Sequence, residues 1–133
     1  MFDALRLDSS AVNAHEEEIR LRVRELDDTQ RKMYYERFRQ EMKDPDTYAV
    51  LNYFFLAGFH HMYLGYFLRG AINLMVLLIG ITALVFGSIM LGSLLITLIL
   101  ISELMALFRS QTVVTHFNNQ VAEEILDDLT ATY

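Results

Sequence analysis

The chain has 133 residues, enough for one small domain, with a formal net charge of −6 and no cysteine. The acidic balance argues against nucleic acid as a partner, because that role needs a dense basic face to displace counterions. The missing thiol excludes disulfides, thiolate metal sites and a cysteine nucleophile. The charge is unevenly placed: residues 1–47 hold twelve acids and nine bases, residues 48–109 one acid and two bases, and residues 110–133 four acids and no base. The expected organisation follows from this. It is a charged helical N-terminal segment (1–47), an apolar membrane domain (48–109) and an acidic amphipathic C-terminal helix (110–133).

In the first segment, Asn13-Ala14-His15-Glu16 has the form of a capping box and predicts a helix start at Asn13. Ile19, Val23 and Leu26 then recur at helical spacing. Asp27-Asp28-Thr29 either breaks this helix or recaps it. A second helix over 30–43 carries Met33, Tyr34, Phe38 and Met42 along one side and ends at Asp44-Pro45, since proline disfavours helix in the residue before it. Asp46 or Thr47 is the expected cap of the next helix. The first 47 residues contain no apolar run of the kind a secretory signal needs, so the following block is expected to be retained as an anchor.

The apolar block opens with 48–57 (YAVLNYFFLA), too short to cross a bilayer alone. Gly58-Phe59-His60-His61-Met62 interrupts it, and 63–68 (YLGYFL) resumes. Counted through, 48–68 could span; counted as broken, it is a re-entrant or interfacial helix–turn–helix. Residues 70–102 then run for 33 positions without a formal charge. As one helix they would reach roughly 50 Å, against about 30 Å of hydrocarbon, so two spans are expected. The turn between them falls near Gly87-Ser88 or between Gly87 and Gly92. A soluble helical hairpin would need a polar face, and this stretch offers only Asn73 and scattered Thr, Ser and Gly.

The fold class is therefore an all-α membrane protein with two full transmembrane helices, a broken or re-entrant first apolar helix (or three spans), and flanking amphipathic helices. Arg31, Lys32, Arg37, Arg39 and Lys43 precede the block and place the N-terminus in the cytoplasm. Three spans would put Arg69 and Arg109 outside; two spans would bring both inside, and the charge rule favours the second arrangement.

Within the block the informative polar residues are Asn52, Asn73, His60, His61 and Glu103. Asn52 and Asn73 are expected to bond between helices. Adjacent histidines on a helix point about 100° apart, so His60 and His61 do not clamp a metal by themselves, and no metal site or cofactor is expected. Glu103 is the one acid of the block. It either lies near the interface and is solvated, pairs with His60, His61 or Arg69, or takes part in proton transfer. Gly58, Gly65 and Gly70 permit close helix approach or a sharp turn. No catalytic triad, phosphate loop or HExxH motif is present, so no catalytic residue is expected.

After Arg109, Val114, Phe117, Val121 and Ile125 form an apolar stripe, with Glu123, Glu124, Asp127 and Asp128 on other faces. This acidic tail complements the arginines of the N-terminal helices (Arg20, Arg22, Arg24), and the two ends are expected to pack together or to pair with neighbouring subunits.

Gly58, His60, Tyr63, Leu64, Gly65 and Gly70 follow the order of a GxHxxYLGxxxxG pattern that resembles the TM2 domain family. His61 stands where that family usually has Arg, and Met62 where it has Phe. The run Leu100-Ile101-Ser102-Glu103-Leu104-Met105-Ala106-Leu107-Phe108 looks like the family's closing helix, with Glu103 in place of Asp and no tryptophan. The gap from Gly70 to Glu103 exceeds the family's by about 16 residues, close to four turns at roughly 3.6 per turn. The resemblance covers 48–108. It implies a small helical membrane module, often joined to other segments; eukaryotic members are linked to signalling and phagocytosis, and most bacterial members have no defined activity.

The function expected from all this is a non-enzymatic module of the inner or plasma membrane that assembles with itself or with other membrane proteins, as a scaffold or accessory subunit. The runner-up is a small channel or transporter subunit, proton-linked or not, using Glu103 with His60 and His61. Thr82, Ser93, Thr97 and Glu103 share no uninterrupted stripe, which ranks it lower.

Overall fold

A computed structural model of the protein describes residues 7–54 and 58–131. Residues 55–57, part of the first apolar run, lie outside the described residues, as do both chain ends. The described residues are helical, with no strand among them: α1 (Ser9–Glu25), α2 (Asp28–Glu41), α3 (Pro45–Phe54), α4 (Phe59–Tyr63), α5 (Phe67–Val85), α6 (Ile89–Phe108) and α7 (Ser110–Ala131).

The capping box expected at Asn13 does not form. Asp8 is the N-cap, and its carboxylate accepts from Ser10 N–H at 3.0 Å. The helix is already running when it reaches Asn13, because an earlier acceptor has satisfied its first free donor. The Ser10 hydroxyl and N–H also hold the Asp8 carboxyl below its ordinary range. At 27–29 the chain both breaks and recaps: Asp27 accepts from Thr29 and Gln30 N–H, and the Gln30 side chain accepts from Asp27 N–H. Arg31 reaches back and donates to the Leu26 carbonyl at 2.7 Å. Asp44, not Asp46 or Thr47, caps α3. It accepts from both the N–H and the hydroxyl of Thr47 at 2.7 Å, which keeps its carboxyl below the ordinary range. Pro45 fills the first helical position, where no N–H is needed, so the cap must be the residue before it.

The N-terminal helices and the C-terminal helix close on one another within the subunit. α7 packs along α1 and α2 around a core of Ile19, Val23, Leu26, Tyr34, Ala122, Ile125, Leu126 and Leu129. Burial pushes the Tyr34 hydroxyl up to about 12. Asn119 donates to the Val12 carbonyl, and Asn118 bonds both backbone groups of Lys43. The charge complementarity is met by Arg22–Asp127 at 2.7 Å and Arg37–Asp128 at 2.9 Å. Arg20 instead pairs along its own helix with Glu16 and Glu17. These pairs are largely exposed and contribute less than about 1 kcal/mol each, so the apolar core holds this three-helix head together. Ile125→Ala should accordingly cost about 2–5 kcal/mol in chemical unfolding, against under about 1 kcal/mol for Arg22→Ala.

α5 and α6 form an antiparallel hairpin that turns at 86–88, with Gly87 at φ +86°. Both are long and apolar enough to cross a membrane, with mean hydropathy 2.0 and 2.2. Their facing surfaces meet at Gly80 and Gly92: a Cβ on Gly92 would lie 2.7 Å from the Gly80 carbonyl oxygen. Most of the hairpin surface is uncovered, including Phe86 and Met90 at 83% and 89% exposure. α5 begins and α6 ends at the head. There Tyr66 packs edge-on against Phe117 of α7, and Arg109 bonds the Leu7 carbonyl just before α1. α3 and α4 lie against this same end of the hairpin.

Candidate functional site

Four elements converge on one buried polar cluster. α3 supplies Asn52, α4 His60, α5 Asn73 and α6 Glu103, each at most 3% exposed. Each reaches this place for a local reason. Asn52 lies one helical turn beyond Tyr48, itself packed with Leu64 and Val114. His60 is set by Gly58, which takes φ +85° and turns the chain into α4. That turn sits directly on α5: a Cβ at Gly58 would lie 2.9 Å from the Gly70 carbonyl oxygen, and one at Gly70 would lie 2.8 Å from that of Gly58. Asn73 follows Gly70 by three positions and so faces the same way.

The bonds are specific. Asn73 Nδ2 donates to Glu103 Oε1 at 2.9 Å, and Asn52 Nδ2 donates to the Glu103 backbone carbonyl at 3.0 Å. Glu103 Oε2 lies 3.2 Å from His60 Nδ1, without the alignment of a hydrogen bond, and both atoms lack a hydrogen-bond partner. His60 Nε2 and Asn52 Oδ1 are also unpartnered. The His60 ring meets the Tyr48 ring edge-on at 5.0 Å and the His61 ring at 4.1 Å. Glu103 is therefore not a solvated interfacial acid: it is 1% exposed and turned inward. Six residues before Arg109, it sits about 9 Å along the helix from that end.

The remaining motif residues build the frame. Tyr63 accepts the Asp44 N–H through its hydroxyl at 3.0 Å and carries Lys43 over its ring, which ties the α2–α3 link to α4. Leu64 is 3% exposed beside Tyr48 and Val114. Gly65 takes φ +80° in the turn before α5, with open space around it. Arg69 lies over the Tyr66 ring. His15 lies against Glu123 in the head at 3.5 Å. Among the described residues no three His, Asp or Glu groups are placed to hold a metal ion.

Comparison finds no matching family model, curated protein or solved structure. Three contributors escaped the sequence reading: Tyr48 as a wall of the cluster, and Gly80 with Gly92 as the hairpin crossing. A signal existed for the glycines. In an antiparallel hairpin, residues equidistant from the turn face each other, and Gly80 and Gly92 are equidistant from Phe86.

Proposed function

We propose that the protein is a non-enzymatic integral membrane module. The α5–α6 hairpin crosses the bilayer twice, α3 and α4 form a re-entrant or interfacial unit beside it, and the three-helix head is cytoplasmic. The observation that carries this reading is the closure of α1, α2 and α7 into one head at one end of an apolar hairpin, which requires an even number of crossings between them. α5 and α6, at about 29 and 30 Å, match the hydrocarbon thickness. Only 17% and 28% of their apolar windows are buried within the protein, whereas the core helix of a soluble protein would be mostly buried. This arrangement also gathers Arg69 and Arg109 on the side of the head's basic residues. The TM2-like motif fits as the hinge of such a module: its glycines turn the chain and let α4 touch α5.

The module's role is assembly with itself or with other membrane proteins, as a scaffold or accessory subunit. The hairpin presents uncovered apolar sides, and a cleft of about 470 Å³ opens in the head between α1, α2 and α7. A conducting pathway within one subunit is disfavoured. Ser93 and Thr97 face outward, Thr82 bonds its own Leu78 carbonyl, and the helices meet through Gly80, Gly92, Leu95 and Ile96 beyond the cluster.

The absence of cysteine makes the test direct. Ser10→Cys, Ser88→Cys and Glu124→Cys place single thiols at exposed positions in α1, the hairpin turn and α7. In intact cells an impermeant maleimide should label only Ser88→Cys. Labelling on opposite sides for Ser10→Cys and Glu124→Cys would overturn the two-span reading. Crosslinking in membranes should trap dimers or larger species, and a strict monomer without a partner would overturn the assembly role.

A further inference from the structure

The His60–Glu103 contact has a chemistry that an anchor or scaffold does not require. Both side chains are fully buried, at 0% and 1% exposure, and they face each other at 3.2 Å. Glu103 spends one oxygen on Asn73, and its second has no donor. An ionised carboxylate in a dry site is costly without a compensating positive charge. The arginines at this end of the hairpin are directed to other groups, Arg69 to the Tyr66 ring and Arg109 to the Leu7 carbonyl. Among the described residues, the group that reaches Oε2 is the His60 imidazole.

We propose that His60 and Glu103 form a proton-binding site that holds one proton between Nδ1 and Oε2 through the neutral pH range. The proton resides on Nδ1 beside a carboxylate or on Oε2 beside an accepting Nδ1. The pair is net neutral in either form, and Nε2 keeps its own hydrogen throughout. Loss of the proton leaves a bare carboxylate in the cluster.

A proton fits this site where a metal ion does not. A hard cation asks for about six oxygen ligands, and the unspent oxygens here are Glu103 Oε2 and Asn52 Oδ1. Among the described residues, the ionisable groups facing the pair from the packed elements are Tyr48 on α3, through its ring edge, and His61 on α4 at 4.1 Å between rings. A second positive charge on His61 would oppose one on His60, so the site takes up one proton and not two. Neutralising the carboxylate keeps the α3–α4 unit seated on the hairpin. The site thus gives the module sensitivity to alkaline conditions, independently of whether it assembles.

The test uses the full chain in lipid nanodiscs with ¹⁵N-labelled histidine and ¹³C-labelled glutamate side chains. At about pH 8, free imidazole and free carboxyl groups are both deprotonated. The wild type should nonetheless show either an imidazolium signal at His60 or a carboxylic-acid signal at Glu103. The His60 signal is assigned by its loss in His60→Gln, and Glu103→Gln should remove the retained proton. A neutral imidazole with an ionised carboxylate at about pH 8 would overturn the proposal. If either variant fails to fold, backbone-to-side-chain correlations in the wild type assign the His60 and Glu103 signals instead.

Discussion

Gly58→Val should unseat α4 from α5 and be among the most destabilising single changes in the chain. Two costs add. Position 58 holds φ +85°, where a β-branched residue is strained, and its Cβ would meet the Gly70 carbonyl oxygen at 2.9 Å and Asn73 Cβ at 3.1 Å. Neither of the first obstacles is a flexible side-chain end, so the helices must separate. The expected loss is roughly 2–5 kcal/mol. The controls separate the two costs. Gly65→Ala meets a similar φ, +80°, in open space and should lose only about 1–2 kcal/mol. Gly70→Ala keeps ordinary helical angles but collides with the Gly58 oxygen at 2.8 Å and with the more yielding Met62 side chain. Thermal unfolding in detergent, followed by circular dichroism, reads the order. If Gly58→Val behaves like Gly65→Ala, the close approach of α4 to α5 is not what the glycine serves.

The same helices explain what the sequence could show and what it could not. The hairpin was legible because length and hydropathy are additive along the chain, and Gly87-Ser88 marked where an overlong apolar run must turn. The stripe Val114, Phe117, Val121 and Ile125 was legible because period is a local property, and Val114 and Ile125 are indeed buried. The cap at Asp8 was missed because two local signals competed, and the upstream acceptor acted first. The inward turn of Glu103 was not fixed by its distance from Arg109, since depth along the helix axis does not say which face of the helix the rest of the protein covers. That face depends on α3 and α4, whose placement follows from Gly58 touching Gly70. Part of the cluster was nonetheless encoded. Asn73 and Glu103 are equidistant from Ser88, as Gly80 and Gly92 are from Phe86, so an antiparallel hairpin turning at 86–88 brings each pair together.

Removing His60 should cost more than altering Glu103, although the two side chains form one contact. His60→Leu leaves Glu103 Oε2 in an apolar surround with no partner, and breaking a buried pair from one side costs roughly 3–5 kcal/mol. Glu103→Gln keeps an acceptor for Asn73 and offers an amide N–H toward His60 Nδ1, so its cost should stay near 1–2 kcal/mol. The double change His60→Leu with Glu103→Gln removes the buried charge itself. It should recover much of the loss, giving a strongly non-additive cycle. The pH dependence follows from proton counting. In His60→Leu the folded chain can neutralise Glu103 only by holding a proton on it, which the unfolded chain releases above about pH 4.3. Because the folded state then binds more protons than the unfolded state, stability falls as pH rises, and the defect should shrink on acidification. Unfolding midpoints of the three variants in detergent between about pH 5 and pH 8 test this. An additive cycle, or a His60→Leu defect that grows at low pH, would mean that the contact is mere proximity and that Glu103 is neutralised by another group.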